Sequence, residues 1–114
     1  LVACTPATRR RANHATLGLA LASIACDWGQ TRAAASTGWT NLYEKNPIMG
    51  PMPTVRAVDL YMLGATALVV AIGQHLPEWF RASLYGGVFL VESSTIYDNA
   101  QTKMPHASTC GVGG

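Results

Sequence analysis

The sequence predicts an all-α integral membrane protein with three transmembrane helices, at about residues 12–35, 55–76 and 82–99. Three observations carry that prediction. Charge is scarce, because 12% of the 114 residues are Asp, Glu, Lys or Arg while 49% are hydrophobic, against roughly 25% charged in an ordinary soluble domain. A single small domain has much surface to cover, and with so few charges that surface is largely apolar, which suits a bilayer or an obligate partner. Residues 12–26, 60–77 and 82–91 contain no charged side chain, and turn-forming residues separate them. The net charge of +2, with one short basic run, excludes a general nucleic-acid binder, which needs clustered Lys and Arg.

The first predicted helix follows a basic segment, 1–11, that ends in Arg9, Arg10 and Arg11. To span a bilayer it must continue past Cys26 through Asp27, Gln30, Thr31 and Arg32, since about 20 residues are needed. Thr16, Ala20, Ser23, Asp27, Gln30, Thr31 and Ala34 recur at spacings of three and four and form one small or polar stripe. Such a stripe lets neighbouring helices approach and hydrogen-bond. Cys26, inside the apolar run, reads as a small buried hydrophobe. Three widely spaced cysteines, Cys4, Cys26 and Cys110, spell neither a disulfide framework nor a CxxC metal site. Leu1-Val2-Ala3-Cys4 fits a lipobox, but the secretion signal that would accompany it has to lie upstream of Leu1, so the reading favours an unmodified Cys4.

Residues 36–53 carry Gly38, Asn46-Pro47 and Gly50-Pro51-Met52-Pro53, breakers that stop the first helix from merging with the second. Trp39 and Tyr43 in this loop suit an aromatic belt at headgroup level. The second helix, 55–76, is the one that meets the length for a span without interruption, with Arg56 and Asp59 in its first turns. A short polar turn, 76–81, with Trp79 and Phe80, makes the second and third helices an antiparallel hairpin. The third helix spans only by continuing through Glu92. Residues 12–101 thus form the membrane domain, and 102–114, rich in Gly, Ser and Thr, a flexible tail.

Each side of the predicted bundle carries four basic residues, so orientation rests on the compact Arg triplet against the first helix. It places the N-terminus inside and the C-terminus outside. At about 1.5 Å per residue, Asp27 and Glu92 then lie at similar depth, roughly 15 to 22 Å from the inner end, with Gln30, Thr31 and Tyr61 close to that level. An ionisable side chain at such a depth needs a partner. Two carboxylates there share a proton if they meet, and each pairs instead with Arg32 or Arg56 if an arginine faces it. His14 and His75 fall near the inner face and could hold a haem between them. Each is the one His on its helix, however, so interfacial hydrogen bonding is the better reading and no cofactor is expected.

Asp27-Trp28-Gly29-Gln30-Thr31, followed by Glu44-Lys45-Asn46-Pro47-Ile48-Met49-Gly50-Pro51-Met52-Pro53 and then Val58 and Tyr61, resembles a group of small bacterial and phage integral membrane proteins with a domain of unknown function. Their pattern is a D-x-x-x-T helix end, often D-x-x-Q-T, and an E-x-N-P-x-x-G turn, and the resemblance spans about residues 17–99. It implies a bacterial inner membrane location and names no reaction. Physically, Glu44, Asn46, Pro47 and Gly50 read as a loop that folds back over the end of the first helix, with the Glu44 carboxylate accepting from free N–H groups there or from Gln30 and Thr31.

The leading expectation for function is helix association, as an accessory subunit of a larger membrane complex or a self-assembling module. Partners are other membrane proteins or a second copy, with no nucleic acid. A holin-like permeabilising protein is one alternative. A proton, cation or small-ligand site on Asp27 and Glu92 is another, and a soluble helical domain covered by its own oligomer is a third. No enzyme motif is present, so catalysis is not expected.

Overall fold

The computed structural model describes residues 5–39, 44, 48–101 and 110. Among these the protein is all-helical, with α1 at Pro6–Ser36, α2 at Val55–His75 and α3 at Glu78–Gln101. At about 1.5 Å per residue the three run about 46, 31 and 36 Å. Each is long enough for a hydrocarbon core of about 30 Å. Only α2 is, among the described residues, both long and apolar enough to cross a membrane on its own composition. The polar residues of α1 and α3 keep those helices below that mark.

α1 begins six residues earlier than the sequence reading placed it. The Thr5 hydroxyl accepts from the Thr8 N–H at 3.1 Å, and Pro6 occupies the first helical turn, where its missing N–H costs nothing. Arg9, Arg10 and Arg11 therefore ride on the first turns of α1 instead of preceding it. At its other end the helix stops through two consecutive residues with left-handed backbone, Gly38 (φ 72°) and Trp39 (φ 58°). Their N–H groups bond back to the carbonyls of Ala35 and Ala34.

Trp39 corrects another expectation. It is buried, not part of an exposed aromatic belt, and its indole Nε1 donates to the Pro53 carbonyl at 2.8 Å. That bond draws the start of α2 onto the end of α1, and the Glu44 N–H donates to the Pro51 carbonyl at 2.7 Å. Gly50 has φ 80°, the left-handed region that glycine enters without a Cβ penalty. Tyr43, Asn46 and Pro47 lie outside the described residues.

α2 is capped by the Thr54 hydroxyl, which accepts from the Ala57 N–H. It ends at His75 because Leu76 precedes Pro77 and takes extended backbone (ψ 151°). α3 then starts at Glu78, not at residue 82. Pro77 is compatible with a helix start and supplies its carbonyl to the Phe80 N–H, while Glu78 puts an acidic side chain in the first turn. Of the stretch 76–81 read as a polar turn, residues 78–81 are thus the first turn of α3, and only Leu76 and Pro77 connect the helices. Arg81 reaches back to the carbonyls of Leu76 and Gln74, satisfying the end of α2 with a cation at the favoured pole.

The three helices run up, down and up. Asn13 Nδ2 donates to the Glu78 carbonyl at one end, and Asn99 bonds Gln30 towards the other, so α1 and α3 are parallel. They form the most extensive contact in the bundle, and α2 packs mainly on α1. The α2–α3 contact is small and centres on Gly73, where the Tyr85 ring lies against the backbone. A Cβ built at Gly73 would fall 2.6 and 2.7 Å from Cζ and Cε1 of Tyr85, a buried ring with little room to retreat. Gly73→Ala is therefore expected to destabilise by about 1–3 kcal/mol through overpacking, seen as a lower melting temperature in detergent. Gly64→Ala, where a Cβ meets nothing within 4 Å, is the control and should be neutral or slightly stabilising.

The interior is mixed, with Ala20, Ile24, Val58, Met62 and Tyr85 buried beside polar side chains, while large apolar residues face outward. Asn13, Ser23, Asp27, Gln30 and Thr31 are buried, whereas Leu60, Leu63, Leu68, Ile72, Leu90 and Val91 are exposed. Leu68 is 60% exposed and Leu90 69%, while Gln30 is 0% and Asp27 7% exposed. At the α2–α3 turn Trp79 and Phe80 are also exposed, their rings edge to face at 5.6 Å.

Candidate functional site

The polar interior is built by the stripe on α1. Ala20, Ser23, Asp27, Gln30, Thr31 and Ala34 are all buried, as the three-four spacing predicts, and Thr16 is half-buried. Packing α3 in parallel on this stripe brings Glu92 and Asn99 to Asp27 and Gln30. The Thr31 hydroxyl donates to Asp27 Oδ1 at 3.3 Å, one helical turn along α1. Asn99 Nδ2 donates to the same oxygen at 3.3 Å and to Gln30 Oε1 at 2.8 Å.

The carboxyl groups of Asp27 and Glu92 face each other within hydrogen-bonding reach. A hydrogen bond between two carboxyl groups contains one proton, since an ionised carboxylate only accepts. Glu92 Oε2 is buried without a hydrogen-bond partner among the described residues. No described cation pairs with either group. Arg32, one candidate counter-ion from the sequence, instead places its Nε 3.1 Å from Asp59 Oδ1 on the exposed α1–α2 face. Trp28 Nε1 donates to that same oxygen at 2.8 Å. Arg56 is exposed.

Asp27, Gln30, Thr31 and Glu92 are thus gathered in one cluster. Tyr61 is half-buried on α2 and takes part in none of its hydrogen bonds, so it is set apart from the group in which its depth placed it. Asn99 is the member the sequence reading missed. It stands seven residues after Glu92, two helical turns on, and that spacing alone puts both on one face of α3. His14 and His75 are both exposed. Among the described residues no group of three or more His, Cys, Asp or Glu side chains is placed to hold a metal ion.

A covalent bond lies beside this cluster in α1. Cys26, one residue before Asp27, forms a disulfide with Cys110, its Cα 4.4 Å from that of its partner and 84 residues away in sequence. This corrects the reading of Cys26 as a free buried hydrophobe. The wide spacing hid the pair, because a disulfide requires only that two Cα atoms approach in the fold. Cys4 and the remainder of the tail lie outside the described residues.

The arrangement can hold helices together through buried hydrogen bonds, and it can hold a proton between two carboxyl groups. Comparisons with family models, with curated proteins and with solved structures return no match for this chain.

Proposed function

We propose that this protein is a small three-span membrane protein of the bacterial inner membrane, N-terminus inside, that acts by helix association, as an accessory subunit or a self-assembling module. The observation that carries the reading is the outward-facing apolar surface of α2. An apolar helix that served as the core of a soluble protein would be mostly buried, whereas α2 buries only Val58, Met62 and Gly73 among its 21 residues. Because α1 and α3 lie alongside α2 and are longer, a bilayer that covers α2 also receives their outer faces. Their polar residues then meet each other and not lipid. The exposed pair Trp79 and Phe80 lies at the end that carries the Arg9–Arg11 triplet, as an interfacial aromatic anchor requires, and with the basic count tied between the sides the inside assignment rests on that triplet.

The resemblance to small bacterial and phage membrane proteins agrees with this placement. Association is favoured because the α2–α3 contact is slight, leaving glycines 64, 86 and 87 with open space where a neighbouring helix can approach. The test is purification of the full chain in mild detergent after an alkaline carbonate wash of the membranes. Retention in the washed membrane and a particle larger than one chain are expected. Release by carbonate, or a strict monomer with nothing bound, would count against the reading.

A second reading rests on the facing carboxyl groups, which suit a proton or cation site. Glu92→Gln keeps a donor for Asp27 while removing one ionisable group. If the pair carries protons, this variant assembles like the parent and loses proton flux in vesicles. If the pair is packing glue, assembly and flux are both unchanged.

A further inference from the structure

α2, about 31 Å long, fills a hydrocarbon core of about 30 Å, so its end at His75 marks the inner edge of that core. α3 starts at Glu78, whose carbonyl accepts from Asn13 Nδ2 at 3.0 Å, which puts Asn13 of α1 at the same level. α1 runs on beyond that level through residues 6–12. Arg9, Arg10 and Arg11, two to four residues from Asn13, therefore stand about 3–6 Å beyond the core edge. That distance falls within the headgroup layer, about 5–8 Å deep on each face. Because the three are helical and consecutive, they fan over about 200° of the helix surface at a fixed depth.

Their charges are uncompensated. Among the described residues none of the three forms an ion pair, and Glu78, the acidic side chain at this end, is exposed and bonded to none of them. Arg81 is committed to the carbonyls of Leu76 and Gln74. Arg10 and Arg11 are exposed. Arg9, one turn before Asn13 on the face turned to α3, has its Nε shielded and without a hydrogen-bond partner among the described residues. A shielded guanidinium N–H is costly without an acceptor, and a phosphate supplies two, which arginine binds through parallel N–H groups. Trp79 and Phe80, exposed at the same level, offer apolar surface to the adjoining acyl chains.

We infer that the Arg9–Arg11 turn is a binding site for an anionic phospholipid of the inner leaflet, with Arg9 on the phosphate diester beside the start of α3 and Arg10 and Arg11 toward neighbouring headgroups. This rests on the membrane reading above and deepens it by naming the lipid. Phosphate is the recognised group, and acyl chains against Trp79 and Phe80 separate a lipid from a free phosphate ion.

The test uses the full-length chain in mild detergent, stripped of lipid and given equimolar phosphatidylglycerol and phosphatidylcholine, with bound lipid counted by native mass spectrometry. The site predicts more phosphatidylglycerol than phosphatidylcholine on the parent. That preference drops roughly fivefold in Arg9→Gln, the weight of one arginine at an anionic surface, and is lost when Arg10→Gln and Arg11→Gln are added. Arg56→Gln, at the other end of the bundle, keeps it, and excess inorganic phosphate leaves the lipid bound. Equal binding of the two lipids by the parent, an equal loss in Arg56→Gln, or displacement of the lipid by phosphate overturns the site. Flotation with phosphatidylcholine vesicles is read separately, and the parent and the triple variant should both float. A parent that floats without the lipid preference leaves the membrane reading standing, whereas a parent that does not float overturns that reading and the lipid site with it.

Discussion

Trp39→Ala is expected to cost about 3–5 kcal/mol, the range for truncating a buried tryptophan. The ring is 3% exposed and sits where α1 ends and α2 begins, so its loss opens a cavity at the junction. It also removes the indole donor from the Pro53 carbonyl, leaving that buried residue's acceptor to find another partner. Trp39→Phe separates the two effects. It keeps most of the ring and loses only the hydrogen bond, for about 1 kcal/mol. The backbone contributes in the opposite direction. Trp39 has φ 58°, a conformation that costs a side chain roughly 1–2 kcal/mol, so Trp39→Gly should be less damaging than Trp39→Ala. Unfolding of the three variants in mixed micelles, followed by far-ultraviolet circular dichroism, reads the order directly. If Ala and Gly prove equal, the strain argument fails. If Ala is neutral, the tryptophan does not hold the junction.

Asn99→Leu is expected to cost about 1–3 kcal/mol, the penalty for stranding buried acceptors. The amide is the donor that joins α3 to both Asp27 and Gln30, and Gln30 is fully buried. Within a bilayer the effect falls toward the lower end, because helices separated in lipid find other polar partners. Asn99→Asp provides the sharper comparison. It adds a third carboxyl group to Asp27 and Glu92 and leaves the shape almost unchanged. Like charges so close cannot all be ionised, so this variant should lose more stability at pH 8 than at pH 5. Melting in detergent at the two pH values checks it. An Asn99→Asp variant whose stability loss is the same at both would show that residue 99 is not packed against the carboxyl pair.

The α1 stripe was legible because helical periodicity is a strong signal: residues three and four apart share a face, and the stripe from Ala20 to Ala34 is the buried one. The start of α1 was also written in the chain, as Thr5-Pro6, but three consecutive arginines gave a competing signal for a segment outside the span. At the start of α3 the polarity of Glu78 and Arg81 resembled a turn. In the fold, each serves a helix end, one in the first turn of α3 and the other on the last carbonyls of α2. The Cys26–Cys110 bond and the burial of Trp39 depend on contacts between distant parts of the chain. No local pattern encodes either.

The same distinction applies to the cluster. Depth counting along three helices brought Asp27 and Glu92 to one level, and the fold joins them because α1 and α3 are parallel neighbours. Depth alone says nothing of which way a helix face turns. Tyr61 shares the level and stays outside the hydrogen bonds, and Arg32 turns to Asp59.

The central claim is that the exposed leucines face lipid while the polar stripe faces the bundle. Single cysteines at Leu63, Leu68 and Leu90, introduced with the three native cysteines replaced by serine, can each carry a nitroxide in bilayer vesicles. Collision rates with molecular oxygen, which concentrates in lipid, and with a water-soluble nickel chelate then report the surroundings of each site. High oxygen and low nickel accessibility at all three positions is the predicted result. Nickel accessibility equal to that of a label on an aqueous loop would place those leucines in water and contradict the account.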